Sequence, residues 1–103
     1  MSPWHTCELS IPGDHPSAAG HFPGNPIVPG ALLLDAAAVS IGVGQRPFII
    51  RNAKFLRPVG YGMPLQLRWL EVGQEAGQAQ FRFECLGADG PVFTGMLSTG
   101  PAA

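Results

Sequence analysis

The chain has 103 residues, of which 46% are hydrophobic and only 13% charged, and its net charge is −1. That length suits one core, so 1–103 reads as a single domain, and the apolar content excludes a disordered chain. With so little charge to cover its surface, the protein is expected to bury more of itself against a second copy. The charge balance gives no support for a nucleic-acid partner.

Cys7 and Cys85 are too few for a disulfide framework, and no C-x-x-C pair exists. No basic region followed by an apolar run is visible at the amino terminus. The apolar stretch 27–44 is interrupted by Pro29-Gly30 and Asp35, which argues against a membrane span. The expected setting is the cytoplasm, with reduced thiols. The charges are uneven, however. Arg46, Arg51, Lys54, Arg57 and Arg68 fall between Asp35 and Glu71, a stretch without acidic residues. Such an excess is either a patch for an acidic partner or a set of solvated strand ends.

Taken in order, His5 to Ile11 alternates and predicts a short strand with Cys7, Leu9 and Ile11 on one face. Pro12-Gly13-Asp14 ends it. Three prolines and three glycines between Gly20 and Gly30 then make an irregular but stiff segment, because proline locks φ while glycine allows positive φ. A rigid loop just before a helix is a common way to position chemistry. The helix is predicted from Ala31 to Ile41, with Pro29 close to its first turn and Gly42 and Gly44 as its stop. Between Ile27 and Gln45 its only ionisable side chain is Asp35. A helix apolar on every side belongs in an interior. A bare charge there is costly, so the carboxyl must be partnered, kept protonated or used.

After Pro47 the pattern turns to strands: Phe48 to Val59, Leu65 to Trp69, Gln80 to Cys85 and Val92 to Ser98, with Asp89-Gly90 as a hairpin turn. The fold class is therefore α+β, an antiparallel sheet of about five strands wrapped around one central buried helix.

Three groups stand out as candidate chemistry. His21 offers a base, Asp35 an acid, and the backbone at Gly30 and Ala31 offers free N–H groups at a helix N-terminus. Together they are the set needed for proton transfer beside a carbonyl. Each also has a plain structural reading: a loop histidine, a carboxyl bonded to a backbone amide, and a turn glycine. No histidine or cysteine spacing suggests a zinc site, and there is no phosphate loop and no G-x-S-x-G elbow. Trp4 and Trp69 read as core or dimer-contact aromatics.

The stretch from His21 to Ala36, HFPGNPIVPGALLLDA, resembles the signature of the β-hydroxyacyl-ACP dehydratases, enzymes of the hotdog fold. A second stretch, Asn52 to Val59, NAKFLRPV, is similar to the strand that follows the helix in that family. The resemblance covers about Ile11 to Ser98. It implies that His21 is the catalytic histidine, Asp35 the catalytic acid, and Gly30 the residue whose amide holds the thioester carbonyl. It implies a homodimer whose sheets join edge to edge, each site pairing the histidine of one protomer with the acid of the other.

The implied reaction is dehydration of a (3R)-3-hydroxyacyl-ACP thioester to the trans-2-enoyl product, in fatty-acid or polyketide-type synthesis, with no cofactor or metal. Phe22, Ile27, Val28 and Leu32 are candidates for the acyl tunnel. Arg46, Arg51, Lys54 and Arg57 are candidates for docking an acyl carrier protein. Two departures stand out: Val39 occupies a position where the family usually has glutamine, and Tyr61-Gly62-Met63 stands in place of a Pro-Gly-Asp turn. The alternatives are a hotdog acyl thioesterase, in which the acidic residue orients water, and a non-catalytic acyl-binding hotdog subunit.

Overall fold

The computed structural model describes residues 3–12, 27–43, 47–75 and 77–99. The elements are β1 (His5–Leu9), α1 (Gly30–Ile41), β2 (Phe48–Phe55), β3 (Leu65–Glu75), β4 (Gln78–Gly87) and β5 (Gly90–Thr99). The strands form one sheet in the order β1-β3-β4-β5-β2, and every neighbouring pair is antiparallel. β3, β4 and β5 follow one another through tight turns. Those turns carry Gly77 and Gly90 at positive φ, 78° and 115°, a region that costs glycine little.

Alternation along the strands gives the sheet one apolar face. Cys7 pairs with Leu67, Leu67 with Cys85, Cys85 with Phe93 and Phe93 with Phe55, so one row crosses all five strands. In a neighbouring row Phe83 pairs with Gly95, and the Phe83 ring meets Phe93 edge-on at 6.3 Å. Phe83, Phe93, Leu67, Leu97 and Cys85 are fully buried. α1 closes this face with Leu33, Ala37 and Ala38. Gly42, in the left-handed region at φ 96°, ends the helix by donating its N–H to the carbonyls of Ala38 and Val39.

The elements follow the sequence expectation in number, type and order, with differences at their ends. α1 begins at Gly30, one residue earlier than expected. β1 stops at Leu9; Ile11 joins the core from the following segment, and its carbonyl accepts from the Gly62 N–H at 2.6 Å. β2 stops at Phe55 and not near Val59, because the N–H groups of Leu56 and Arg57 both turn to the Val92 carbonyl. β3 and β4 run well past Trp69 and before Gln80, since backbone pairing continues through a bulge between Glu71 and Gly73 where alternation fails.

One expectation is corrected. The helix is not buried all round. Ala31, Asp35 and Val39, four residues apart, form an exposed stripe, and Val39 keeps 63% of its surface. A single sheet can cover only one side of a helix, so apolar composition alone overstated what one chain buries. Among the described residues no helix is long and apolar enough to cross a membrane.

Candidate functional site

The segment entering α1 is fixed before the helix begins. The Val28 N–H donates to the Val59 carbonyl at 2.8 Å, and Ile27 bridges Gly60, which ties this segment to the chain just after β2. Pro29, at φ −60° and ψ 143°, caps the helix with no side-chain hydrogen bond, and its carbonyl accepts from the N–H groups of Leu32 and Leu33. The N–H groups of Gly30 and Ala31 precede Leu32, the first residue whose N–H donates within the helix. They are the donors a helix N-terminus leaves for a carbonyl oxygen or an anion.

Gly30 packs closely against the tip of the half-exposed Phe55 ring. A β-carbon there would lie 2.8 Å from the Phe55 ring. Phe55 stands at the end of β2, on the helix side of the sheet, where it also packs on Phe93 at 5.9 Å. Around this contact runs a groove of about 310 Å³ lined by Ile27, Val28, Gly30, Leu33 and the stretch 55–59. Its walls are apolar apart from Arg57, and Gly30, the first residue of α1, is among them. An apolar wall beside a helix N-terminus is compatible with an acyl thioester, which needs apolar surface for its chain and a donor for its carbonyl.

The structure therefore brings together Gly30, Ile27 and Val28 among the expected site residues. Leu32 is half-buried against the core and is not part of the groove lining. Asp35 lies outside the groove, on the exposed stripe with Ala31 and Val39. His21, Phe22 and Arg46 lie outside the described residues. The three basic candidates among the described residues do not share one face. Arg57 lines the groove, whereas Lys54 pairs with Thr94 on the sheet face opposite Phe55. Arg51 sits at a bulge in β2 on that same outer face, where it donates to Ser98 Oγ at 2.9 Å and to Gln78 Oε1 at 3.5 Å.

Phe55, Leu56 and Pro58 line the groove although no pattern in the strand singled them out as site residues. The signal available was the NAKFLRPV stretch, which contains all three. The two tryptophans serve packing. Trp69 is half-buried against the core and stacked on His5 at 5.6 Å, and Trp4 lies under the Arg68 guanidinium at 4.7 Å. Arg68 also pairs with Glu84 at 2.7 Å across β3 and β4. Among the described residues no group of three His, Cys, Asp or Glu is placed to hold a metal.

One helix laid on a five-stranded antiparallel sheet of this order defines a protein of the hotdog fold. Residues 3–95 match the ApeI-like family, described as ApeI dehydratase. The chain belongs to that family of dehydratases. It is 36% identical over 85 aligned positions to the 3-hydroxyacyl-[acyl-carrier-protein] dehydratase FabZ of Brucella ovis, a match covering 71% of this chain and 53% of that protein. The chain thus spans about half the length of the curated relatives it matches. The structure of the dehydratase heterocomplex ApeI:P from Xenorhabdus doucetiae superposes with a TM-score of 0.68 at 22% identity, over 93% of this chain and 86% of that one. A probable thioesterase from Bartonella henselae superposes with a TM-score of 0.67 at 14% identity, over 96% and 90%. At such identities these two structures speak for the fold alone.

Proposed function

We propose that the protein dehydrates (3R)-3-hydroxyacyl thioesters borne by an acyl carrier protein, giving the trans-2-enoyl thioester. The observation that carries this reading is the groove at Gly30. Gly30, the first residue of α1, lines an apolar groove at the helix N-terminus, in a chain of a dehydratase family. In this reading the Gly30 amide holds the thioester carbonyl, which makes the C2 proton acidic. His21 takes that proton, the C2 electron pair forms the C2–C3 double bond, and the C3–O bond breaks. Asp35, acting as the neutral acid, hands its proton to the departing hydroxyl, which leaves as water. Proton return from His21 to Asp35 restores both groups, so atoms and charge balance without a cofactor.

The acid is supplied by a second subunit. Asp35 lies outside the Gly30 groove of its own chain, on a stripe that the chain leaves uncovered. β2 is an edge of the sheet, with Ile49, Phe55 and Leu56 about half exposed. Pairing of two such edges would bury these side chains and enclose the carboxyl. The work is placed in the cytoplasm, where acyl carrier protein substrates are made.

His21→Ala and Asp35→Asn should each lower turnover on a 3-hydroxyacyl carrier protein by about 10²–10⁴-fold while the dimer persists. Near-normal rates in both variants would reject the assignment. The competing reading is acyl hydrolysis on the same fold, with Asp35 orienting water. Following free-thiol release and enoyl absorbance on the same substrate separates the two.

A further inference from the structure

Strand alternation also decides what stands on the face of the sheet that α1 does not cover. Two rows of cross-strand partners run over it. Arg68, Glu84, Thr94 and Lys54 form one, and Leu70, Arg82, Met96 and Asn52 form the next. Each member of the first row is one residue away from the buried row at Leu67, Cys85, Phe93 and Phe55, and each member of the second lies two residues from the first, so both rows point away from the helix. With Arg51 in the β2 bulge, four of the five described cations stand on this face, Arg57 being the fifth. Glu84 is the one carboxylate in the two rows, and Arg68 holds it at 2.7 Å. Arg51 is tied to Ser98 and Gln78, neutral groups that leave its charge in place. Arg82 and Lys54 are exposed, and among the described residues no ion pair or hydrogen bond engages either. Between the rows lies a depression of about 310 Å³, lined by Asn52, Arg82, Glu84, Thr94, Gly95 and Met96.

We propose that this outer face docks an acidic protein segment, a helix whose carboxylates meet Arg82 and Lys54 across the depression and Arg51 beside it. Width decides between occupants. The first row runs from β3 to β2, three strand spacings or about 14 Å, so a single small anion reaches only part of the charge. Glutamates at i, i+4 and i+8 of a helix span about 12 Å and match it. A bilayer is wide enough, but Leu70 and Met96 are half-buried between charged neighbours and offer it little to insert. The depression favours a protein as well, since it can receive a protruding side chain. The surface lies across the sheet from the Gly30 groove, so a partner held there leaves that groove open. The inference therefore does not depend on which reaction the groove serves.

The test is fluorescence anisotropy at low salt with a labelled alanine-rich peptide bearing glutamate at i, i+4 and i+8, and with its glutamine counterpart. The acidic peptide should bind about tenfold more tightly, a preference that fades as salt is raised. Arg82→Gln and Lys54→Gln should each weaken it about threefold, the size expected of an exposed ion pair. Arg57→Gln, on the groove side, should change nothing. Equal binding of the two peptides, or a preference that survives Arg82→Gln and Lys54→Gln together, overturns the proposal. So does tighter binding to phosphatidylglycerol vesicles than to the peptide, which would make the face a lipid surface. Displacement of the peptide by inorganic phosphate at constant ionic strength would reduce it to a small-anion site. No turnover is read, so these results stand apart from the fate of the dehydration reading.

Discussion

At the scale of single residues, the two cysteines show how position sets reactivity. Cys7 and Cys85 lie in the same row of the sheet, separated by Leu67 on β3. Two strand spacings, about 10 Å, exceed the Cα separation a disulfide can bridge. Cys85 is fully buried between β3 and β5, and burial, helped by the nearby Cys7, pushes its thiol from 9.0 up to about 12. Because the folded value lies above the unfolded one, the neutral thiol favours the fold below pH 9. That contribution fades as the pH rises towards 12. The thiolate is the reactive form. Iodoacetamide at neutral pH should therefore modify half-buried Cys7 and spare Cys85 until denaturant is added. Mass spectrometry of the native protein showing prompt alkylation at Cys85 would contradict this packing.

Among the elements, β5 bears the tightest constraint. It is the strand between β4 and the edge strand β2, and Gly95 lies opposite both Phe83 and Ala53. A β-carbon at Gly95 would sit 2.5 Å from the Asn52 carbonyl oxygen and 2.6 Å from the Phe83 ring. The first is backbone of a paired strand and the second a fully buried side chain, so neither yields cheaply. Gly95→Ala should cost about 1–3 kcal/mol or more, read as a lower midpoint of chemical denaturation. Gly73, in the β3 bulge, has nothing within 4 Å of such a carbon. Gly73→Ala is the control and should shift the midpoint little. Equal effects at the two positions would mean that β5 is not packed as described.

For the whole molecule the decisive feature is thinness. The shortest dimension is 19 Å, about one sheet and one helix layer, and the radius of gyration of 14.3 Å exceeds the roughly 13 Å usual at this length. Such a slab covers one side of its helix and leaves the ladder of β2 open, a state proteins rarely leave unpaired. A second copy that continued the sheet at β2 would cover Ile49, Phe55 and Leu56, and would bring new surface to the Ala31–Asp35–Val39 stripe. Sedimentation should find a dimer at micromolar concentration. Val39→Arg, which puts a charge on exposed surface without touching the core, should raise the monomer fraction at least tenfold. A dimer indifferent to that charge would place the interface elsewhere.

Local chemistry made a good part of this protein legible in its sequence. The glycine and proline spacing around α1 marked both ends of the helix to within a residue. Period-two alternation marked the strands wherever one face is buried, and the HFPGNPIVPGALLLDA run pointed to the family. Those signals are short-ranged and survive without knowledge of neighbours. What the sequence could not decide is which faces are covered, because burial is a property of partners distant in the chain. An apolar helix read as wholly interior proved to be covered on one side, with Asp35 facing outward. A basic run that the sequence left open, as a patch or as solvated strand ends, is divided among its described members, Lys54 and Arg51 to one face of the sheet and Arg57 to the groove. Phe55 became part of the groove only through its contact with Gly30 across 25 residues, a contact that strand pairing and helix packing create and no local pattern announces.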